Sequence, residues 1–172
     1  MKKIVLTLVA MALCNTINAQ ESEVKNSVLD NFHLESKMQS GFRHHGMTPL
    51  NANLQLSYEF VKCWSLMATM EGERMLYEDS RSYIRNNSLG GGLAYAWVDG
   101  DSQRFDLRFQ VLSTIGHGDW KQTTFDIGST WYGKPKKRAL APVVGYGFRY
   151  QKSHTAEVRN WTGFYVSIGL RL

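Results

Sequence analysis

From Phe32 to the last residue, hydrophobic and polar positions alternate in short runs separated by polar or glycine-bearing breaks. The final run is the clearest guide. Phe164, Val166, Ile168, Leu170 and Leu172 fall on one parity; Trp161, Gly163, Tyr165, Ser167, Gly169 and Arg171 fall on the other. A period of two, rich in β-branched and aromatic residues, predicts a strand with one apolar face. Seven earlier runs repeat it. They place Phe32, Leu34, Met38 and Phe42 against Glu35, Lys37, Gln39 and Arg43, and Leu54, Leu56 and Tyr58 against Gln55, Ser57 and Glu59. Further on, Trp64, Leu66 and Met70 oppose Thr69, Glu71 and Glu73, and Leu89, Leu93 and Trp97 oppose Gly90, Gly92 and Ala94. Phe105, Leu107 and Phe109 then oppose Arg104, Asp106 and Arg108, Phe125 and Ile127 oppose Thr124 and Asp126, and Val144, Tyr146 and Phe148 oppose Gly145, Gly147 and Arg149. Eight strands are expected, with no helix of any length. Parity breaks down after Gly72, which predicts a bulge there.

The face opposite the apolar one decides between architectures. It carries glycines 90, 92, 145, 147, 163 and 169, which gain nothing on a solvated strand and weaken it. Inside a narrow barrel they make room for Arg108, Arg149, Trp161 and Tyr165, because eight strands enclose a space that side chains just fill. Charges on this face nearly balance: Glu35, Glu59, Glu71, Glu73, Asp106 and Asp126 against Lys37, Arg43, Arg104, Arg108, Arg149, Arg159 and Arg171. Arginine dominates the bases, as suits bidentate pairing where water is scarce. Aromatics gather toward strand ends, with Phe32, Phe60, Trp64, Trp97, Phe105 and Trp131 at one rim and Phe42, Trp120, Phe148 and Tyr150 at the other. Two aromatic girdles around an aliphatic belt are a membrane-barrel pattern. The alternative is a soluble secreted β-barrel or sandwich, which would turn its apolar face inward.

On these residues the chain resembles the small eight-stranded outer-membrane barrels, of which the OmpA transmembrane domain and OmpX are familiar members. The resemblance covers residues 31–172 and rests on pattern, with no motif of one subfamily. It implies an all-β, antiparallel up-and-down transmembrane barrel with a polar, side-chain-filled lumen, periplasmic termini, and surface loops near residues 43–49, 78–87, 116–119 and 151–158. It also implies outer-membrane lipid around the barrel and recognition of the last strand by the barrel-assembly machinery, through Phe164, Val166, Ile168, Leu170 and Leu172. Such strands usually end in an aromatic residue; this one ends in leucine.

The first 19 residues fit that setting. Lys2 and Lys3, an apolar run from Ile4 to Leu13 and Ala19 read as a secretory signal peptide, cleaved after Ala19. The run falls short of the roughly 20 apolar residues a spanning helix needs. Lipidation at Cys14 ranks second, because Leu13 precedes it where a small residue is expected. Residues 20–30 read as a polar periplasmic arm. Without residues 1–19 the formal charge falls from +5 to +3, since two lysines leave and all 15 acids stay. Nucleic acid is not an expected partner at that charge. Cys63 becomes the sole cysteine of the mature chain, so a disulfide framework is excluded.

Candidate chemistry is sparse. His44, His45, His117 and His154 fall in or beside loops, but nothing fixes a metal-ligand spacing. Lipid A palmitoyltransferases are also eight-stranded barrels, with a histidine near the first loop and an Asp-Ser pair near the second. Here His44, His45, Asp79 and Ser80 occupy those positions, and a histidine base, a serine and a carboxylate suit acyl transfer. That activity needs an apolar upper lumen, whereas Arg43, Glu73, Arg108, Arg149 and Trp161 are expected to fill it. The expectation is therefore a closed barrel of structural or surface-interaction role with no cofactor, its surface partner unidentified and lipid A acyl transfer the alternative. A diffusion pore for large solutes is not expected from eight strands.

Overall fold

The computed structural model describes residues 31–42, 47–77, 83–117, 120–133, 140–155 and 159–172. The signal segment, the N-terminal arm and Cys14 lie outside these residues. Eight strands follow in order: β1 (Phe32–Gly41), β2 (Met47–Val61), β3 (Trp64–Tyr77), β4 (Tyr83–Asp99), β5 (Gln103–Thr114), β6 (Gln122–Gly133), β7 (Ala141–Ser153) and β8 (Trp161–Arg171). Each pairs antiparallel with its sequence neighbours, and β8 pairs with β1 to close an up-and-down barrel. Closure runs to the last residue: Leu34 N donates to Leu172 O at 3.1 Å, and Leu172 N to Leu34 O at 2.8 Å. The start of β1, the end of β8 and the connections after β2, β4 and β6 lie at one end, the turn end; the connections after β1, β3, β5 and β7 lie at the other, the loop end. A membrane-crossing strand needs about 9–11 tilted residues, so even β1, with 10, is long enough.

Because successive side chains point to opposite faces, closure sends one parity of every strand out and the other into the lumen. The apolar parity goes out. Ile168 is 69% exposed, and Met38, Leu54, Met70, Leu107 and Val166 are likewise uncovered. The charged parity goes in, where Glu35 and Glu71 have no exposure. This is the inverse of a soluble barrel, which overturns the soluble alternative: water would meet a continuous apolar belt while carboxylates were sealed from it.

Several expected details differ. Gly72 makes no bulge; it pairs in register with Ala52 and Asn87. Parity therefore persists, with Arg74 outward and Met75 buried inside, and the pattern changes because the composition of each face changes near the strand end. The register shifts lie instead between Glu59 and Val61 and between Ala96 and Val98, both beside turn-end hairpins where bulges steepen the local twist. The second loop is shorter than residues 78–87, because β4 begins at Tyr83 and its Asn86 and Ser88 pair with Glu73 and Glu71. Trp120 is no girdle residue: it is buried, and its Nε1 donates to Gln122 Oε1 at 2.6 Å. Leu112 and Val143 are apolar but fully buried on the inward parity.

The β2–β3 hairpin turns through Lys62 and Cys63, with Val61 paired to Trp64. Cys63 adopts φ 72°, and its carbonyl accepts from Ala96 N at 2.7 Å, which holds the turn against β4. A left-handed conformation costs a residue with a Cβ about 1–2 kcal/mol. Cys63→Gly is therefore expected to stabilise the barrel by about 1 kcal/mol net of glycine's larger unfolded-state freedom, seen as a higher midpoint in urea unfolding; an unchanged or lower midpoint contradicts it.

Candidate functional site

Inward parity from all eight strands converges on the lumen, and its contents divide by level. Toward the turn end, Arg108 grips Glu35 with a two-pronged fork, Nη1 to Oε2 at 2.7 Å and Nη2 to Oε1 at 2.8 Å. Glu35 also meets Lys37 Nζ at 3.4 Å and Arg171 Nη1 at 3.5 Å, so three cations share one sealed carboxylate. Below it Arg104 bridges Glu59 at 2.5 Å and Asp106 at 2.9 Å. Tyr132, not anticipated from the sequence, donates its hydroxyl to Asp106 at 2.6 Å while Arg171 stacks over its ring at 4.1 Å. Such charge-assisted, geometrically matched contacts are the form in which buried ions are tolerated.

Toward the loop end, Arg149 is 1% exposed and holds two acids at once. Its Nε and Nη2 donate to Asp126 at 2.7 Å each, and Nη1 and Nη2 donate to Glu71 at 3.0 and 2.7 Å. Glu73 is held differently, by amides: Gln122 Nε2 at 2.6 Å and Gln151 Nε2 at 2.7 Å, one on each oxygen. Gln110 extends the network from Thr69 to Asp126. Charge alone does not point to these glutamines; their inward parity was the available signal. Glycine supplies the space. Gly128 and Gly147 face each other across β6 and β7, and a Cβ on either would meet the Tyr165 hydroxyl at 2.8 or 2.6 Å. Arg149 lies over that same ring, 5.6 Å from its centroid.

Between the two levels is a void of about 20 Å³, bordered by Lys37, Asn53, Gln55, Arg108, Asp126 and Tyr165 among others. A water needs about 10–15 Å³ measured this way, so the space suits one or two water molecules. Gln39 Nε2, Asn53 Oδ1 and Arg108 Nε have no protein partner and belong to residues that line it.

The structure thus gathers Glu35, Lys37, Glu59, Glu71, Glu73, Arg104, Asp106, Arg108, Asp126, Arg149 and Arg171 in one lumen. Arg159 is not among them: it is exposed and precedes the start of β8, so it never enters the barrel wall. Arg43, His44, His45, Asp79 and Ser80 lie outside the described residues. His117 is exposed, and His154 Nε2 shares a 2.8 Å hydrogen bond with Thr123 Oγ1 on the outer surface. Among the described residues no group of three or more histidines, cysteines or acids could hold a metal.

An apolar exterior, a sealed ionic interior and eight closed strands define a small transmembrane-type β-barrel. Solved structures of the same kind are similar to it. The neisserial surface protein A matches with a TM-score of 0.52 at 16% identity, over 82% of this chain and 94% of that one. The attachment invasion locus protein Ail of Yersinia pestis matches with a TM-score of 0.47 at 15% identity, over 82% and 96%. At such identity the likeness to the neisserial protein is one of fold. No protein-family model matches the chain, and no curated protein matches it in sequence.

Proposed function

We propose that the chain is exported by a signal peptide at residues 1–19 and resides in the outer membrane as a barrel with a closed lumen. Its role is structural or one of surface interaction through the loop end, and it does not pass large solutes. The observation carrying this reading is the inversion of faces: an uncovered apolar belt around a lumen in which the carboxylates of Glu35, Glu59, Glu71, Asp106 and Asp126 meet Lys37 and four arginines, and that of Glu73 meets two glutamine amides. Ions locked by such geometry satisfy one another and stiffen the scaffold, while the belt finds its solvent in lipid. The outward Phe164, Val166, Ile168, Leu170 and Leu172 of the last strand are available to the assembly machinery. Acyl transfer finds no support in the upper lumen, where Arg149, Glu71, Glu73, Asp126 and Trp120 stand where a fatty chain would need an apolar tunnel.

Fractionation is the direct test. The protein is expected in outer-membrane fractions, running on unheated detergent gels at a different mobility from the boiled form. Recovery as a soluble, unshifted protein contradicts the reading, and loss of one lipid A acyl chain in a strain carrying Ser80→Ala, compared with wild type by mass spectrometry, would replace it with acyl transfer.

A further inference from the structure

Glu73 stands apart from the other carboxylates of the lumen. Glu35, Glu59, Glu71, Asp106 and Asp126 each meet a lysine or an arginine. Glu73 is 1% exposed, yet among the described residues it meets no basic group, only the amides of Gln122 and Gln151. A buried charge without a counter-charge is costly. Each of its oxygens accepts one N–H and has room for a second partner. The inward groups beside it share the deficit. Asn86 pairs directly with Glu73 across the β3–β4 ladder. Its Nδ2 donates to Thr114 Oγ1 at 3.1 Å, while its Oδ1, on the other side of the amide, has no hydrogen-bond partner. The hydroxyls of Ser88, the next inward residue of β4, and of Thr124, the next inward residue of β6 after Gln122, are also unpartnered. All three residues are at most 1% exposed. Buried polar atoms left over in this way mark the place of a water or an ion. A carboxylate and an amide oxygen can only accept, so the group lacks a donor or a positive charge, and the unbalanced carboxylate decides for charge.

We propose that this level of the lumen binds one monovalent metal cation of the sodium class, through Glu73 and Asn86 with the hydroxyls of Ser88 and Thr124. Oxygen ligands suit hard cations. A single positive charge balances the single unbalanced carboxylate, whereas a divalent ion would leave a buried surplus. The inference rests on the closed lumen of the reading above. To test it, the mature chain is refolded into detergent micelles in sodium chloride or in N-methylglucamine chloride of the same ionic strength, whose cation is too large for the lumen. Urea unfolding is then followed by the heat-shifted band. Wild type is expected to unfold at a higher midpoint in sodium, its folding equilibrium about tenfold more favourable where the ion stands near ten times its Kd. Glu73→Gln is expected to unfold at the same midpoint in both salts, and Asn86→Ala to lose most of the response while keeping the carboxylate. Glu59→Gln removes a carboxylate already paired with Arg104 at the turn end, and is expected to be less stable but to keep the full response. Equal midpoints for wild type in the two salts overturn the proposal, since something other than an added cation then satisfies Glu73. A response that survives intact in Asn86→Ala, or that vanishes in Glu59→Gln, overturns it equally, so the test stands even if Glu73→Gln does not fold. A wild-type chain that forms no heat-shifted barrel in either salt tells against the closed lumen itself, and is seen before any midpoints are compared.

Discussion

Replacing Met70 by arginine is expected to lower the stability of the barrel in a bilayer by about 2–4 kcal/mol. Met70 sits midway along β3, points outward with 53% exposure, and is flanked by Leu54 on β2 and Leu89 on β4. No acid lies nearby on this face among the described residues. If water bathed the position, the exchange would stay within about 0.5 kcal/mol, as surface substitutions do. The two environments therefore differ in magnitude by several-fold, and urea unfolding in lipid vesicles, followed by the heat-shifted band, reads the difference. The same strand offers an internal contrast. Arg74 lies on the same face further toward the loop end, so the expected penalty at Met70 is one of depth and not of which face the charge occupies. A change within about 0.5 kcal/mol at Met70 would mean that the belt does not contact lipid.

Most of the wall could be read directly because side-chain parity is a strict geometric property of a strand: Glu35, Arg108 and Arg149 had to share a side with the glycines once their strands were recognised. Eight alternating runs then had only one way to hide their charges. What parity cannot provide is depth and partner. Arg108 reaches Glu35 and Arg149 reaches Glu71, pairs 73 and 78 residues apart whose meeting depends on the stagger of closure. Gly72 misled because a change of residue type near a strand end imitates a change of register; the true shifts fall on Phe60 and Trp97, aromatic residues that suit either face. Arg159 continued the inward parity by count, but β8 does not begin until Trp161. The void was equally illegible, since it depends on how far Lys37 and Tyr165 extend across the lumen.

The largest effect is expected at Arg149. Arg149→Met removes the cation that, among the described residues, hydrogen-bonds both Glu71 and Asp126, each at most 2% exposed, and leaves two buried carboxylates without their counter-charge. Breaking a buried pair from one side costs about 3–5 kcal/mol, a large part of the roughly 5–15 kcal/mol typical of a folded domain. The variant is expected to refold poorly in detergent and to unfold at a markedly lower urea concentration with an unchanged slope. The informative comparison is with Arg149→Met/Glu71→Met/Asp126→Asn. Here the stranded charges are gone, and the amide that replaces the Asp126 carboxylate still offers an oxygen to Gln110, whose own amide donates to Asp126 at 2.9 Å in the native barrel. Replacing a whole buried ionic group by uncharged residues of similar volume is often neutral or stabilising, so most of the lost stability should return. Recovery in the triple variant would mean that the network is there to keep charges satisfied in a polar lumen and not to supply net stability. If the triple variant stays as weak as Arg149→Met, the guanidinium's contacts with Tyr165 and the surrounding wall are what hold the upper barrel together.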